Sequence, residues 1–408
     1  MAPLDIESLF DTLLQDVWFE LTFLLAVSLI AGFVFTRFGQ PKVIGYIVVG
    51  VIIGPSVLGI IQLSDTGTSG LPESIAMLAE LGAIVLLLMI GLECDIKEIY
   101  TRRSIMIAIG GVIVPWVCGF GVAHLMGYGT EAVFIGATLV ATSVAVTASV
   151  ISELGLIGTP VAYAIVGAAV VDDVMGMVVL GISKGMITGS LDPVGLVLLV
   201  VGAVLFVVLG AWIGSRFLTR LVFDVQVEGF RRKLPMSGFI LMLAFAFLYA
   251  FIAETIQISA IVGAFVAGVA FSGSALRDGF RKGMMYLEAL FVPLFFVSLG
   301  AVVYFTDMWN SILFAVVLLA VAFATKVFGC GVAARLSGMN RWDSLAVGFG
   351  MTPRLEIAMI IAYYGLSNAI IGFDVYSVVV FMGLLTAVFS PPMLKWALRK
   401  GGHRLDAA

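Results

Sequence analysis

Between Val17 and Leu398 the sequence is a succession of apolar stretches separated by short clusters of arginine and lysine. Many of these stretches approach the ~20 residues that a helix needs to cross a bilayer. A water-soluble fold has no place for so many of them. Hydrophobic residues make up 61% of the chain and charged residues only 12%, against roughly 25% charged in a soluble domain. The chain is therefore expected to be an all-α polytopic membrane protein.

Charges, prolines and glycines divide it into thirteen candidate spans, approximately 17–36, 42–61, 73–93, 104–126, 131–153, 159–186, 194–218, 235–255, 258–273, 284–305, 309–334, 342–365 and 374–398. An odd number puts the termini on opposite sides. One set of connections holds nineteen lysines and arginines, including Lys42, Lys97, Arg102, Arg103, Arg277, Arg281, Arg335 and Lys395, whereas the other holds only Lys184. The positive-inside rule then places the N-terminus outside and the C-terminus in the cytoplasm, in an inner or cytoplasmic membrane. The N-terminal segment is acidic and lacks the basic n-region of a cleavable signal peptide, so the first span is expected to be retained. The longest hydrophilic connection, 219–233, leaves no room for an appended soluble domain. No GxxxxGK[ST] loop is present, which argues against ATP-driven transport. GCGVAA at 329–334 matches GxGxxA by letter but follows an intramembrane lysine, and reads as close helix packing by small residues. Cys94, Cys118 and Cys330 stand far apart and read as small buried hydrophobes, with no disulfide framework and no metal site. No cofactor, nucleotide or nucleic-acid partner is expected. The partners implied are the lipid bilayer and whatever crosses it.

The costly residues lie inside the spans. The stretch AAVVDDVMGMVV at 168–179 carries Asp172 and Asp173 side by side, the eleventh span carries Lys326, and the twelfth carries Arg354 and Glu356. A charged side chain at the centre of a membrane helix costs roughly 2.5–3.5 kcal/mol on insertion scales. A buried ion pair with Lys326 accounts for one aspartate. Two acids and one lysine still leave a carboxylate that only a proton or a cation can neutralise. Neighbouring carboxylates in low dielectric cannot both ionise freely and titrate as a coupled unit. Such a site holds a proton at moderate pH and releases it to a metal cation, which is proton/cation exchange in outline. Arg354 and Glu356 flank the break expected at Pro353, which must disturb its helix, and are expected to neutralise each other or the backbone groups freed there.

The seventh span separates six spans from six, and an odd linker gives the two halves opposite topology, the layout of an inverted repeat with its site at mid-depth. The fifth span of the first half holds Thr142, Ser143, Thr147 and Ser149; the fifth of the second half holds Pro353. Nothing in TSVAVT alone demands unwinding.

VATSVAVTASVISELG, VGAAVVDDVMGMVVL, AETIQISAIVGAFVAGV and MTPRLEIAMIIAYYGL occur in that order. They resemble the monovalent cation:proton antiporter superfamily, closest to its second branch of NapA-type sodium/proton antiporters and Kef potassium efflux systems. The resemblance covers essentially the whole chain. It implies an NhaA/NapA-like fold of thirteen transmembrane helices in two inverted six-helix repeats, with crossed discontinuous helices. It divides the chain into scaffold and dimerisation helices at 1–93 and 235–308, core helices at 94–193 and 309–400, a linker helix at 194–234 and a short cytoplasmic tail at 401–408. It implies that Asp173 is the principal cation- and proton-binding carboxylate, Asp172 its partner, Thr142 and Ser143 further oxygen ligands, and Lys326 the charge partner of electrogenic members. The metal ion concerned is the transported cation, held by Asp172 and Asp173. The function implied is secondary exchange of Na⁺ or Li⁺ for protons by alternating access, in a homodimer serving pH homeostasis. A Kef-like K⁺/H⁺ antiporter is the alternative; the Kef nucleotide-binding domain has no counterpart in this sequence. A passive cation channel fits less well, because nothing resembles a selectivity filter.

Overall fold

The computed structural model of the chain describes residues 17–61, 73–94, 101–189, 192–302, 311–368 and 370–404. The acidic N-terminal segment, Lys97, the end of the tail and the side chain of Glu356 lie outside the described residues. The described chain is helical: α1 Val17–Arg37, α2 Lys42–Ile53, α3 Glu73–Glu93, α4 Arg102–Leu125, α5 Glu131–Thr138, α6 Val144–Glu153, α7 Pro160–Thr188, α8 Pro193–Ile213, α9 Thr219–Arg231, α10 Ser237–Thr255, α11 Ala260–Phe271, α12 Arg277–Ala301, α13 Ile312–Leu336, α14 Arg341–Gly350, α15 Glu356–Ser367 and α16 Phe373–Lys400. Among the described residues, nine helices are long and apolar enough to cross a membrane, and Lys42–Ile53, Val144–Glu153, Ala260–Phe271 and Ile357–Leu366 are shorter apolar helices. Val194, Leu198, Val204, Val208 and Trp212 of α8 are all exposed, an apolar surface suited to lipid.

Local sequence fixes the helix starts. Pro160 follows Thr159, whose hydroxyl accepts from Ala162 N, and Pro193 follows Asp192, which accepts from Gly195 N; both are N-caps with proline at the first helical position. Three expectations are corrected. The second span is helical only to Ile53, where Gly54 turns extended before Pro55, as the residue before a proline prefers. The connection 219–233 is helix α9 over most of its length, joined to α8 through a π-turn at Gly214–Leu218. Cys118 is exposed, unlike Cys94 and Cys330.

The most extensive packing falls into two sets of helices. In one, α3 lies against α11 and α12, α12 against α2, and α10 against α11; in the other, α4 packs on α13, α5 and α7, and α14 on α13 and α16. Few contacts cross between the sets. Both carboxylate oxygens of Glu153, at the end of α6, accept from the backbone N–H of Lys42 that opens α2, at 3.0 Å. The Lys395 ammonium of α16 donates to the Gly39 carbonyl before α2 at 2.7 Å. These contacts, with Arg281–Glu93 at 2.9 Å, gather the basic clusters on one face of the molecule. Lys184 lies instead over the Tyr364 ring, 5.2 Å from its centre.

Gly50 and Gly54 pack within the chain. A Cβ on Gly50 would overlap the Val297 carbonyl oxygen and come within 3.0 Å of Gly300 Cα, and one on Gly54 would meet the Ala301 carbonyl at 2.8 Å. Gly50→Ala should therefore force α2 and α12 apart and cost about 1–3 kcal/mol, read as a lower Tm in a fixed detergent. Gly202→Ala, where nothing lies within 4 Å, should leave Tm unchanged or slightly raised, since alanine is the better helix former.

Candidate functional site

Two helices break beside each other. The fifth span stops at Thr138 and resumes at Val144, and the twelfth stops at Gly350 and resumes at Glu356. A broken helix frees N–H and C=O groups that lipid cannot satisfy. Here the breaks satisfy each other. Ser143 N–H donates to the Pro353 carbonyl at 2.6 Å, the Thr142 hydroxyl donates to the Met351 carbonyl at 3.2 Å, and the Thr147 hydroxyl donates to the Gly350 carbonyl. The Ser143 hydroxyl accepts from Val146 N–H at 3.4 Å, capping α6.

Arg354 ties the two breaks together. Its Nε donates to the Leu139 carbonyl at 2.8 Å and its Nη1 to the Thr352 carbonyl at 3.0 Å, while its backbone N–H donates to Thr386 Oγ1 at 3.1 Å. The side chain is fully buried. Leu139 and Thr352 each lie just past a helix C-terminus, where a cation is favoured by the helix dipole. Arg354 is thus engaged with freed backbone groups.

The aspartates come from α7. Asp172 is 0% exposed and Asp173 4%, and successive positions on a helix point about 100° apart. Lys326 Nζ of α13 reaches both oxygens of Asp172, at 3.0 and 3.1 Å, with both side chains 0% exposed. The Thr142 hydroxyl and Arg354 also lie near Asp172. The structure therefore brings Asp172, Lys326, Thr142 and Arg354 together, with Asp173 and Ser143 adjacent in sequence. Among the described residues, no group of three or more His, Cys, Asp or Glu stands together as a metal cluster. The donors at hand are one or two carboxylates with hydroxyl and carbonyl oxygens, a set suited to a hard cation.

Sequence reasoning passed over Gly111. A Cβ there would meet Cys330 Sγ at 2.6 Å and Lys326 Nζ at 3.2 Å, with Asp172 Oδ1 at 3.7 Å. One helical position away, Gly110 meets Gly329 backbone to backbone, each Cβ position overlapping the other's carbonyl oxygen. α4 is thus pressed onto α13 where the ion pair sits, and GCGVAA acts in close packing, as expected. The signal was available as the glycine pair at 110–111 inside a span.

The sequence matches, over residues 24–400, the family described as "Sodium/hydrogen exchanger, transmembrane". The chain belongs to the sodium/hydrogen exchanger family. It is 34% identical to the "Na(+)/H(+)-K(+) antiporter GerN" of Bacillus cereus over 388 residues, covering 93% of this chain and 96% of that protein. It is 32% identical to a "Na(+)/H(+) antiporter" of Enterococcus hirae over 396 residues, covering 93% and 97%. Its fold resembles that of the sodium proton antiporter MjNhaP1 of Methanocaldococcus jannaschii, with a TM-score of 0.70 at 17% identity, over 94% of this chain and 97% of that one. As a member of this exchanger family the chain is a multi-pass membrane protein of a transporter class, not an enzyme class.

Because the Asp172–Lys326 pair is fully buried, removing either partner leaves an uncompensated charge. Asp172→Asn and Lys326→Gln should each cost about 3–5 kcal/mol, and the double variant should recover most of that loss. Melting of all four proteins in one detergent measures the coupling. Additive losses would show that the pair is not coupled in the folded protein.

Proposed function

We propose that this chain is a secondary active antiporter that exchanges Na⁺ or Li⁺ for protons by alternating access. The observation that carries this reading is two adjacent buried aspartates beside the crossing of two broken helices, with Asp172 paired to Lys326. Asp173 is the principal carboxylate for cation and proton. Asp172 and the oxygens of Thr142 and Ser143 complete the shell, and Arg354 steadies the break with Glu356. The relatives' names as Na⁺/H⁺ antiporters support the substrate class. Potassium is the second reading, favoured by the inclusion of K⁺ in the name of GerN.

In this reading the described helices make thirteen spans in two inverted six-helix repeats. The set containing α4–α7 and α13–α16 is the core, and the set containing α1–α3 and α10–α12 is the scaffold, through which the protein dimerises. The basic face is cytoplasmic, in the inner or cytoplasmic membrane. A cavity of about 1020 Å³ opens there between the two sets, lined by Ser152 and Tyr163 on one side and by Glu93, Arg277, Asp278, Arg281 and Glu288 on the other. Its place supports a conformation open to the cytoplasm.

Charge balance decides the stoichiometry. With a monovalent cation bound, Asp172 and Asp173 contribute −2, the ion +1 and Lys326 +1. If the salt bridge opens when the cation leaves, two protons replace one cation and net charge moves. Asp173→Asn should abolish cation-dependent proton flux in proteoliposomes while leaving Tm within a few degrees of the parent. Robust flux from the folded variant would move the site elsewhere. Comparing Na⁺, Li⁺ and K⁺ in the same vesicles decides the ion.

A membrane potential imposed without a pH gradient should drive cation movement through the parent. Reconstituted Lys326→Gln should transport weakly and without voltage dependence. A parent that ignores the potential refutes electrogenic exchange and leaves antiport standing.

A further inference from the structure

On the basic face, away from the aspartates, a cleft of about 570 Å³ lies where α4 and α7 begin and α13 ends. Its walls include Arg102, Arg103, Pro160, Tyr163, Leu336 and Ser337. Most basic side chains described above have an evident partner: Arg281 has Glu93, Lys395 has Gly39, and Arg354 has two carbonyls. Among the described residues, Arg102 and Arg103 have no such hydrogen bond or ion pair. Arg103 Nε is enclosed and still has no acceptor. Folding has taken a guanidinium donor out of water without returning a bond, a state that costs free energy until an acceptor arrives.

The surroundings sharpen the demand for an anion. Arg102 and Arg103 are the first two residues of α4, which has no acidic residue in its first turn. Arginine there adds positive charge to the positive end of the helix dipole, where a carboxylate would ordinarily sit. The start of α7 at Pro160 brings a second helix N-terminus to the same cleft, and among the described residues no Asp or Glu lines it. Among the described residues, two guanidiniums and two helix N-termini converge with no carboxylate to offset their charge. A phosphate has the charge and the acceptor oxygens to do so.

The apolar surface beside the cleft indicates the source of that phosphate. Along α4, Ile105, Ile109 and Ile113 are 48%, 41% and 51% exposed, one turn apart. Along α13, Phe328, Val332 and Leu336 are 64%, 40% and 75% exposed, again one turn apart. α4 packs along α13, so two apolar stripes lead from the arginines toward the membrane interior. An anionic head above apolar stripes matches a lipid better than a free ion, and basic pockets between membrane helices are known to take anionic headgroups. We propose that this cleft binds the phosphate of an anionic glycerophospholipid from the leaflet on the basic face, with Arg102 and Arg103 as its charge partners and its acyl chains along α4 and α13. The site stands independently of the transport reading. It joins the three helices that carry Gly111, Asp172 and Lys326, so its occupant clamps the starts of α4 and α7 to the end of α13.

Native mass spectrometry of the purified full chain in mild detergent tests this, with phosphatidylglycerol, phosphatidylcholine or inorganic phosphate added in separate arms. The parent should retain phosphatidylglycerol over phosphatidylcholine, and its Tm should rise with the former only. Each of Arg102→Gln and Arg103→Gln should weaken retention about five-fold. Leu336→Glu, which adds a carboxylate at an exposed position and removes no arginine, should weaken it as well, even if Arg103→Gln fails to fold. Equal retention of the two lipids by the parent, or unchanged retention in the folded variants, overturns the site. If millimolar inorganic phosphate displaces the lipid and stabilises the parent alone, the cleft is a free-phosphate site and the lipid assignment is overturned.

Discussion

The mutual satisfaction of two broken helices organises the interior of this exchanger. Each break frees backbone groups where there is no water to take them, and each supplies what the other lacks: Ser143 N–H meets the Pro353 carbonyl, and the hydroxyls of Thr142 and Thr147 meet the carbonyls of Met351 and Gly350. Neither break is stable alone in hydrocarbon. Formed together they cost little and put polar oxygens at depth. Arg354 closes the arrangement by holding Leu139 and Thr352 with one guanidinium.

The charges on α7 and α13 depend on that crossing. Asp172 is buried among Lys326, Thr142 and Arg354, so the segment that unwinds also helps to solvate the carboxylate. Close packing delivers Lys326. With side chains at Gly110 and Gly329, α13 would stand away from α4, and a methyl at Gly111 would press on the ammonium itself. Buried pairs are sensitive to geometry because attraction in low dielectric must offset two desolvation costs. Three glycines on two helices supply that geometry.

Much of this was legible in the sequence, for identifiable reasons. Span positions follow from hydropathy, and the gathering of basic clusters on one face follows from their alternation along the chain. Asp172, Asp173 and Lys326 stand out because charge is rare there, and Pro353 announces its own break. The break at 139–143 carries no such sign. It has no proline, and its hydroxyls could have bonded back to their own helix; what opens it is the partner segment more than two hundred residues away. Gly111 was equally silent, because a glycine's role here is set by which side chain fills the space beside it. The ends of α2 and α8 were misjudged because a local turn at Gly54 and an amphipathic continuation past Leu218 weigh little in average hydropathy.

The first amide of α2 takes its cap from Glu153, a residue of the opposite set of helices. Losing an N-cap costs a helix about 0.5–2 kcal/mol, and Lys395 at Gly39 adds a charge-assisted bond of comparable size. The two sets therefore meet here as a catch and its notch. They cannot slide past one another without fraying the start of α2, yet the penalty is small enough for thermal motion to release it. A catch of this strength favours discrete resting positions over continuous drift.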